Sequence, residues 1–292
     1  TQFNSNDELD LDMFKVNIQA QLEAGVQGIV LGGTLGEAST LTEEEGRKLT
    51  RETVAIVAGK IPVLMNIAEQ TTKAAIALAK SAKEDGASGL MMLPPMRYKA
   101  SDAEIVHYFK SVANSTSLPI MIYNNPVDYK LVVTLDMFQE LLDACPNIQA
   151  VKESTRDTTN ITRIKNRFGN RLAIMTGVDT LALESLVLGA DGWVAGLVDA
   201  FPAETVAIYT LVKAGKVQEA ITIYRWFMPL LELDIHPKLV QYIKMAAVHT
   251  GIGNEYVRAP RLVLEGAERV RIEKVITDAL AIRPTLPDYK NL

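Results

Sequence analysis

Seven short apolar segments recur along the first two thirds of the chain, and segments with helical spacing separate them. Each apolar segment is continuous rather than alternating with polar residues, which is typical of parallel strands covered on both faces. Their starts lie roughly 20 to 35 residues apart, which is the size of one strand-and-helix unit. The predicted strands span residues 28–33, 63–67, 88–93, 119–123, 149–152, 172–176 and 192–195.

Several predicted helices carry recognisable end signals. The first spans residues 10–24 and ends at Gly25, which suits a left-handed C-terminal residue. Thr42 and Glu45 form a capping box at the start of the next helix. Beyond residue 201 the pattern is only helical. Further predicted helices begin at Ser101 and Thr134, and others span residues 202–214, 217–232, 237–250 and 260–281.

The alternation of strands and helices predicts an α/β protein. We expect a (β/α)8 TIM barrel over residues 1–214, with C-terminal helices over residues 215–292 that pack on the barrel or on another subunit. Because only seven strands are visible and residues 1–3 resemble the exit of a strand, we expect the first strand to precede residue 1. An open doubly wound sheet is the alternative. However, the glycine-rich turn at residues 32–36 lacks the G-x-G-x-x-G spacing of a dinucleotide site.

Composition argues against several classes of protein. The chain has 292 residues, of which 48% are hydrophobic, and its net charge of -5 argues against nucleic acid as the main partner. No apolar stretch reaches the length of about 18 residues that a membrane span needs. The only cysteine, Cys145, excludes an internal disulfide and fits a reducing cytoplasm. His107, His236 and His249 lack neighbours at metal-ligand spacing, so we expect no metal and no other cofactor.

Lys152 is the strongest candidate for a catalytic residue. It ends the fifth predicted strand and is followed by a polar turn. Active sites of barrels of this kind lie at the carboxyl ends of the strands. A lysine amine held there, partly out of water, can attack a carbonyl or an imine. The alternative is a lysine that caps the strand and extends to solvent.

Other strand ends offer groups that suit this chemistry. Gly33, Thr34 and Leu35 lie in a turn whose backbone N–H groups can bind a carboxylate, although such a turn can also need glycine for geometry alone. Tyr123 ends the fourth strand, and its phenol can transfer protons near an amine. A buried tyrosine that only satisfies its own hydrogen bond is the alternative.

Further polar residues at strand ends are candidates for substrate binding. Asn125 and Gly196 follow two of the strands, and Arg97 and Tyr98 lie on a polar loop from which they could reach a substrate. Arg97 could equally be a solvated surface charge. Glu69 is either a general base or the N-cap of the helix that begins near Thr71.

Several of these segments resemble motifs of the dihydrodipicolinate synthase / N-acetylneuraminate lyase family. Residues 33–37 match its G-[TS]-x-G-E turn, residues 123–126 its Y-N-x-P motif, and residues 151–154 its [IV]-K-[ED]-[SA] motif. Residues 177–179 and 188–192 fall where the family has G-x-D and L-G-x-x-G. The likeness covers nearly the whole chain in the right order and spacing.

The resemblance implies a role for each matching residue. Lys152 would form an imine with a 2-oxo acid, Tyr123 would shuttle protons, and the turn at Thr34 and Leu35 would hold the carboxylate. The expected partner is therefore a small-molecule 2-oxo acid or cyclic imino acid. The resemblance also implies a homotetramer or homodimer of barrels.

The chain departs from the synthases of this family at specific positions. Leu35 stands where they have a second threonine, and residues 127–130 read Val-Asp-Tyr-Lys where they have an arginine after the Y-N-x-P motif. Tyr98 is displaced by about one residue from their paired tyrosines. These differences argue against a role in lysine biosynthesis.

A closer likeness is to the branch that acts on 1-pyrroline-4-hydroxy-2-carboxylate. Residues 123–126, 129–130, 224–231 and 283–287 resemble that branch, whose members are deaminases that release ammonia and 2,5-dioxopentanoate. The resemblance therefore implies a deaminase. A 2-oxo acid aldolase and dihydrodipicolinate synthase are the alternatives within the family. A non-catalytic metabolite-binding barrel is the alternative from another class.

Overall fold

Seven parallel strands form one curled sheet in the computed structural model, which describes residues 1–292. Each strand pairs with the next along the chain, so that β1 and β7 are the two edges. This order confirms the α/β class and argues against the doubly wound alternative, which requires a reversal of strand order. The strands are β1 (Ile29–Leu31), β2 (Val63–Ile67), β3 (Gly89–Met92), β4 (Ile120–Asn124), β5 (Ile148–Glu153), β6 (Ala173–Thr176) and β7 (Gly192–Trp193).

Helices connect the strands and continue beyond the last one. Those up to β7 are α1 (Leu11–Ala24), α2 (Glu43–Val57), α3 (Thr72–Glu84), α4 (Asp102–Ala113), α5 (Pro126–Tyr129), α6 (Leu135–Ala144), α7 (Thr159–Phe168) and α8 (Ala182–Val187). The later ones are α9 (Pro202–Lys213), α10 (Val217–Leu231), α11 (Leu239–His249) and α12 (Gly266–Ala281). None of the helices combines the length and apolar character that a membrane crossing requires.

The predicted helix ends are confirmed where a capping signal defines them. Thr42 and Glu45 bond reciprocally at the start of α2, and the Ser101 hydroxyl caps α4. Gly25 ends α1 with a left-handed φ of 97°. The predicted start of the last helix at residue 260 is wrong. Because Gly266 has a left-handed φ of 57°, a regular helix cannot run through it, and α12 begins there.

The C-terminal helices share the core of the sheet. A single cluster of 70 buried apolar residues includes side chains from the strands and from all four of the last helices. The Lys244 ammonium on α11 lies 2.7 Å from the Glu37 carboxylate, which follows β1, and both side chains are almost wholly buried. Burial lowers the pKa of Lys244, and Glu37 opposes that shift. The ion pair therefore joins the last helices to the turn after the first strand of the sheet.

Candidate active site

Lys152 and Tyr123 lie side by side on neighbouring strands. Tyr123 of β4 pairs with Lys152 of β5, and directly paired residues point to the same face of a sheet. The Lys152 Nζ lies over the Tyr123 ring, 4.2 Å from its centroid. Glu153 points to the opposite face, where Asn124 and Asn160 donate hydrogen bonds to its buried carboxylate. The pleat of β5 thus separates the amine from this neighbouring acid.

The side chain of Lys152 passes directly over Gly177. A methyl group on Gly177 would lie 2.5 Å from the lysine Cε, 2.7 Å from its Cγ and 2.3 Å from Ser154 Oγ. A residue with a Cβ therefore cannot occupy this position unless the lysine moves. The Ser154 hydroxyl is buried and has no hydrogen-bond partner within the chain. Because buried polar groups normally have a partner, this hydroxyl is available to a ligand.

Two phenols and a threonine hydroxyl lie close together beside the amine. The Asn125 side-chain amide donates a hydrogen bond of 3.1 Å to Tyr123 Oη, and its oxygen caps α5. Tyr129, at the end of α5, packs edge-on against Tyr123, and its hydroxyl lies 3.4 Å from Thr34 Oγ1. Burial and the neighbouring Tyr123 raise the pKa of Tyr129 to about 12. Both phenols therefore have hydroxyl or amide neighbours that fix their orientation, as a proton carrier requires.

The turn after β1 presents unpaired backbone amides. The N–H groups of Gly33, Thr34 and Leu35 donate no hydrogen bond within the chain. A Cβ on Gly36 would lie 3.2 Å from Gly33 N, so the turn is tightly closed. Glu37, which follows, is fully buried with a left-handed φ of 53°. Adjacent free amides in a tight turn form a site for an anion such as a carboxylate.

Asp179 fixes the backbone after β7. Its fully buried carboxylate accepts hydrogen bonds from Gly196 N at 3.0 Å, Leu197 N at 2.8 Å and Trp193 Nε1 at 2.9 Å. Burial raises the pKa of Asp179, and these hydrogen bonds oppose the shift. Since two backbone amides and the Trp193 indole satisfy the carboxylate, its role here is to hold Gly196 in place.

These strand ends line one end of a cavity of about 1130 Å³, which extends through the sheet to the amino ends of the strands at Pro62, Pro119 and Gln149. Seven of the predicted site residues line it: Gly33, Thr34, Leu35, Tyr123, Asn125, Lys152 and Gly196. Arg97 and Tyr98 do not, and they line a second pocket of about 540 Å³ instead. Tyr129 and Lys130 line both, so the second pocket adjoins the first.

Sequence reasoning did not select three other residues that line the cavity: Tyr129, Ser154 and Asp234. Tyr129 closes the short helix that Asn125 caps, and Ser154 directly follows β5, so both had a local signal. Asp234 lies far beyond the last strand and had none. Glu69 is not the cap of α3, because the Thr71 hydroxyl accepts the capping hydrogen bond. No group of three or more histidine, cysteine, aspartate or glutamate side chains is placed to hold a metal ion.

The arrangement suits imine chemistry. An amine next to phenols can condense with a carbonyl while the phenols transfer protons, provided that the carbonyl carbon is held within reach. The turn with free amides can hold a carboxylate on the adjacent carbon. A 2-oxo acid, or a ring imine that carries a carboxylate, fits this combination.

Comparison with known proteins gives one consistent result. The model of the "Dihydrodipicolinate synthetase family" matches residues 1–279. The 4-hydroxy-tetrahydrodipicolinate synthase of Exiguobacterium sibiricum is 34% identical over 267 residues, which cover 90% of this chain and 89% of that protein. The enzyme of the same name from Methanoculleus marisnigri is 30% identical, over 94% of each chain.

Solved structures agree with this result. The crystal structure of dihydrodipicolinate synthase from Aquifex aeolicus superposes with a TM-score of 0.91 at 27% identity, covering 99% of this chain and 97% of that one. A prophage protein of the dihydrodipicolinic acid synthase family from E. coli K12, in complex with pyruvate, gives a TM-score of 0.90 at 25% identity, covering 96% of each chain. These likenesses confirm the predicted barrel class with C-terminal helices.

Proposed function

The chain belongs to the dihydrodipicolinate synthetase family of lyases, and we propose that it deaminates 1-pyrroline-4-hydroxy-2-carboxylate to 2,5-dioxopentanoate and ammonia. The observation that carries the proposal is the position of Lys152 Nζ, 4.2 Å from the centre of the Tyr123 ring, in a cavity that also contains the turn with free amides. An imine between Lys152 and C2 of the substrate is the central intermediate.

The charges around the cavity favour a substrate with a single carboxylate. The turn at Gly33 to Leu35 supplies one anion site, and Leu35 adds no hydroxyl to it. Elsewhere Arg156 lines the cavity but lies 3.8 Å from the Asp128 carboxylate, so its charge is already paired. Lys130, which also lines the cavity, donates a hydrogen bond to the Val127 carbonyl. The Asp128 carboxylate disfavours a second substrate carboxylate and favours the primary ammonium that forms when the pyrroline ring opens.

The reaction can be written with residues of this cavity. Lys152 attacks C2, the C2 bond to the ring nitrogen breaks, and the nitrogen stays on C5 as a primary amine. Tyr123 takes a proton from C3, the C4–O bond breaks, and water leaves. Protons then move from C5 and its nitrogen to C3 and C4, which converts the C3–C4 double bond into a C5 imine. Water hydrolyses this imine and the lysine imine, so that one water is lost and two are added.

A second candidate function is supported by the relatives. Two proteins named 4-hydroxy-tetrahydrodipicolinate synthase are 34% and 30% identical to this chain over most of its length. The same lysine and tyrosine serve a synthase or an aldolase of a 2-oxo acid equally well. The choice between these functions rests on the groups that contact the far end of the substrate.

Borohydride trapping tests the proposal. The full chain is incubated with the pyrroline acid, pyruvate or 2-oxoadipate, reduced, and analysed by intact mass and peptide mapping. We expect an adduct on Lys152 with the pyrroline acid, and ammonia release in the unreduced reaction. Lys152→Met should abolish both, whereas Lys60→Met, at an exposed lysine, should change neither.

The result also separates the alternatives. Ammonia release by Lys152→Met would refute the mechanism, and an adduct without ammonia would favour a synthase or aldolase. Absence of any adduct would favour a non-catalytic binding protein. A homotetramer or homodimer and a cytoplasmic location are part of the proposal; light scattering of the purified chain measures the first, and cell fractionation the second.

A further inference from the structure

Asp234 contributes to the cavity from outside the strands. It lies in the turn Glu232–Ile235 between α10 and α11, and His236, the next residue after that turn, lines the cavity as well. Its carboxylate contacts the backbone after β7, because a methyl group on Gly196 would lie 2.2 Å from Asp234 Oδ1. The absence of a side chain at Gly196 therefore makes room for this carboxylate at the cavity wall.

The Asp234 carboxylate is not engaged by the protein. It forms no ion pair within 4.0 Å, and no group of the chain donates a hydrogen bond to it. Asp179, which holds the other side of Gly196, is by contrast fully satisfied by three donors. A half-buried carboxylate without a partner, facing a cavity that also contains Lys152, is available to a substrate.

We infer that Asp234 is a second catalytic acid–base residue, which acts on the part of the substrate that carries the 4-hydroxyl and the C5 amine. The inference rests on the proposed function. In the dehydration step the electron pair of the C3–H bond becomes the C3–C4 double bond, the C4–O bond breaks, and the hydroxyl leaves as water with the proton of Asp234. The resulting carboxylate then takes a proton from C5 and is again the acid.

The surroundings of Asp234 favour the protonated form that this step needs. Burial raises the pKa of Asp234 well above its usual range, and the nearby carboxylates of Asp179, Asp199 and Asp128 raise it further, while the Lys152 ammonium opposes them. A carboxylic acid can protonate a leaving hydroxyl near neutral pH only when its pKa is raised in this way.

Asp234→Asn tests the inference, because it keeps the shape of the side chain and removes its proton transfer. We expect the Lys152 adduct to form with the pyrroline acid as in the wild type, while kcat for ammonia release falls by about 100-fold or more. Since the acid form is the active one, wild-type kcat should fall as the pH rises through the pKa of Asp234, and this limb should be absent from Asp234→Asn. Glu232→Gln, in the same turn but exposed and outside the cavity, is the matched control.

The possible outcomes distinguish failure of the role of Asp234 from failure of the proposed deaminase function. Asp234→Asn with wild-type ammonia release and pH profile would refute the role of Asp234 and leave the proposed function intact. Loss of the adduct in this variant, with unchanged thermal unfolding, would also refute it, because the residue would then act on Lys152 rather than on the far end of the substrate. No adduct in the wild type would refute the proposed function, and the inference with it.

Discussion

Replacing Gly177 by alanine tests whether the path of the Lys152 side chain controls activity. The added methyl would lie 2.5 Å from Lys152 Cε and 2.3 Å from Ser154 Oγ. Ordinary contacts begin at about 3.4 Å, so the lysine Cε must move by about 0.9 Å. The backbone of Gly177 is not left-handed, which means that alanine adds a steric conflict without backbone strain.

A displacement of this size should affect catalysis more than folding. The far end of the lysine can move at small cost, but the buried Ser154 hydroxyl must move as well, so we also expect a modestly lower unfolding temperature. A misplacement of about 1 Å at the reacting centre can cost about 100-fold in rate. We therefore expect Gly177→Ala to lower the rate of imine formation by about two orders of magnitude.

This rate is measured by adding borohydride after different incubation times. Intact mass then gives the fraction of the chain that carries the reduced adduct at each time. Gly46→Ala is the matched control, since Gly46 lies in α2 and a methyl there makes only an ordinary contact of 3.8 Å with Met65. An adduct formed at the wild-type rate by Gly177→Ala would show that the position of the amine is not set by the close packing at Gly177.

Three further changes test other parts of the site and the fold. Tyr129→Phe should lower kcat by about 10-fold to 100-fold with an unchanged unfolding temperature if its hydroxyl carries protons, as steady-state kinetics will measure. Gly33→Ala has open space around its new methyl and should fold normally. If the turn binds the carboxylate, the methyl takes up space that the carboxylate needs, and KM should rise by about tenfold. The Arg258 guanidinium lowers the pKa of Glu45 to about 2, so this pair stabilises the fold above about pH 4.5 and is lost as the pH falls toward 2. Glu45→Gln should therefore lower the unfolding midpoint at pH 7 and leave it nearly unchanged at pH 2, measured by circular dichroism.

The sequence predicted the sheet well because the signals for it are local. A strand buried on both faces must be mostly apolar, so segments such as 89–92 and 120–122 stand out from the amphipathic helices. Helix starts such as Thr42 carry their own hydrogen-bonding partners within three residues. The start of α12 could not be predicted in the same way, because the left-handed φ of Gly266 is not encoded in the apolar spacing.

The candidate site was predictable only where it follows a strand. Lys152 and Tyr123 end adjacent strands, so the parallel pairing brings them together, and the turn after β1 arrives at the same edge. Arg97 and Tyr98 also follow a strand, but their loop lines the neighbouring pocket. Asp234 reaches the cavity through the packing of α10 and α11, which depends on many distant contacts and leaves no short pattern in the sequence.

Asp234 comes from a connection between two helices, whereas the groups for imine formation come from the ends of strands. The amine, its neighbouring phenol and the anion-binding turn are fixed by the geometry of the sheet. The turn Glu232–Ile235 belongs to no strand, and Leu233 within it anchors the turn in the core. A substitution at Asp234 would thus change the group that this turn brings to the cavity, while the amine and its neighbouring phenol keep their places on the sheet.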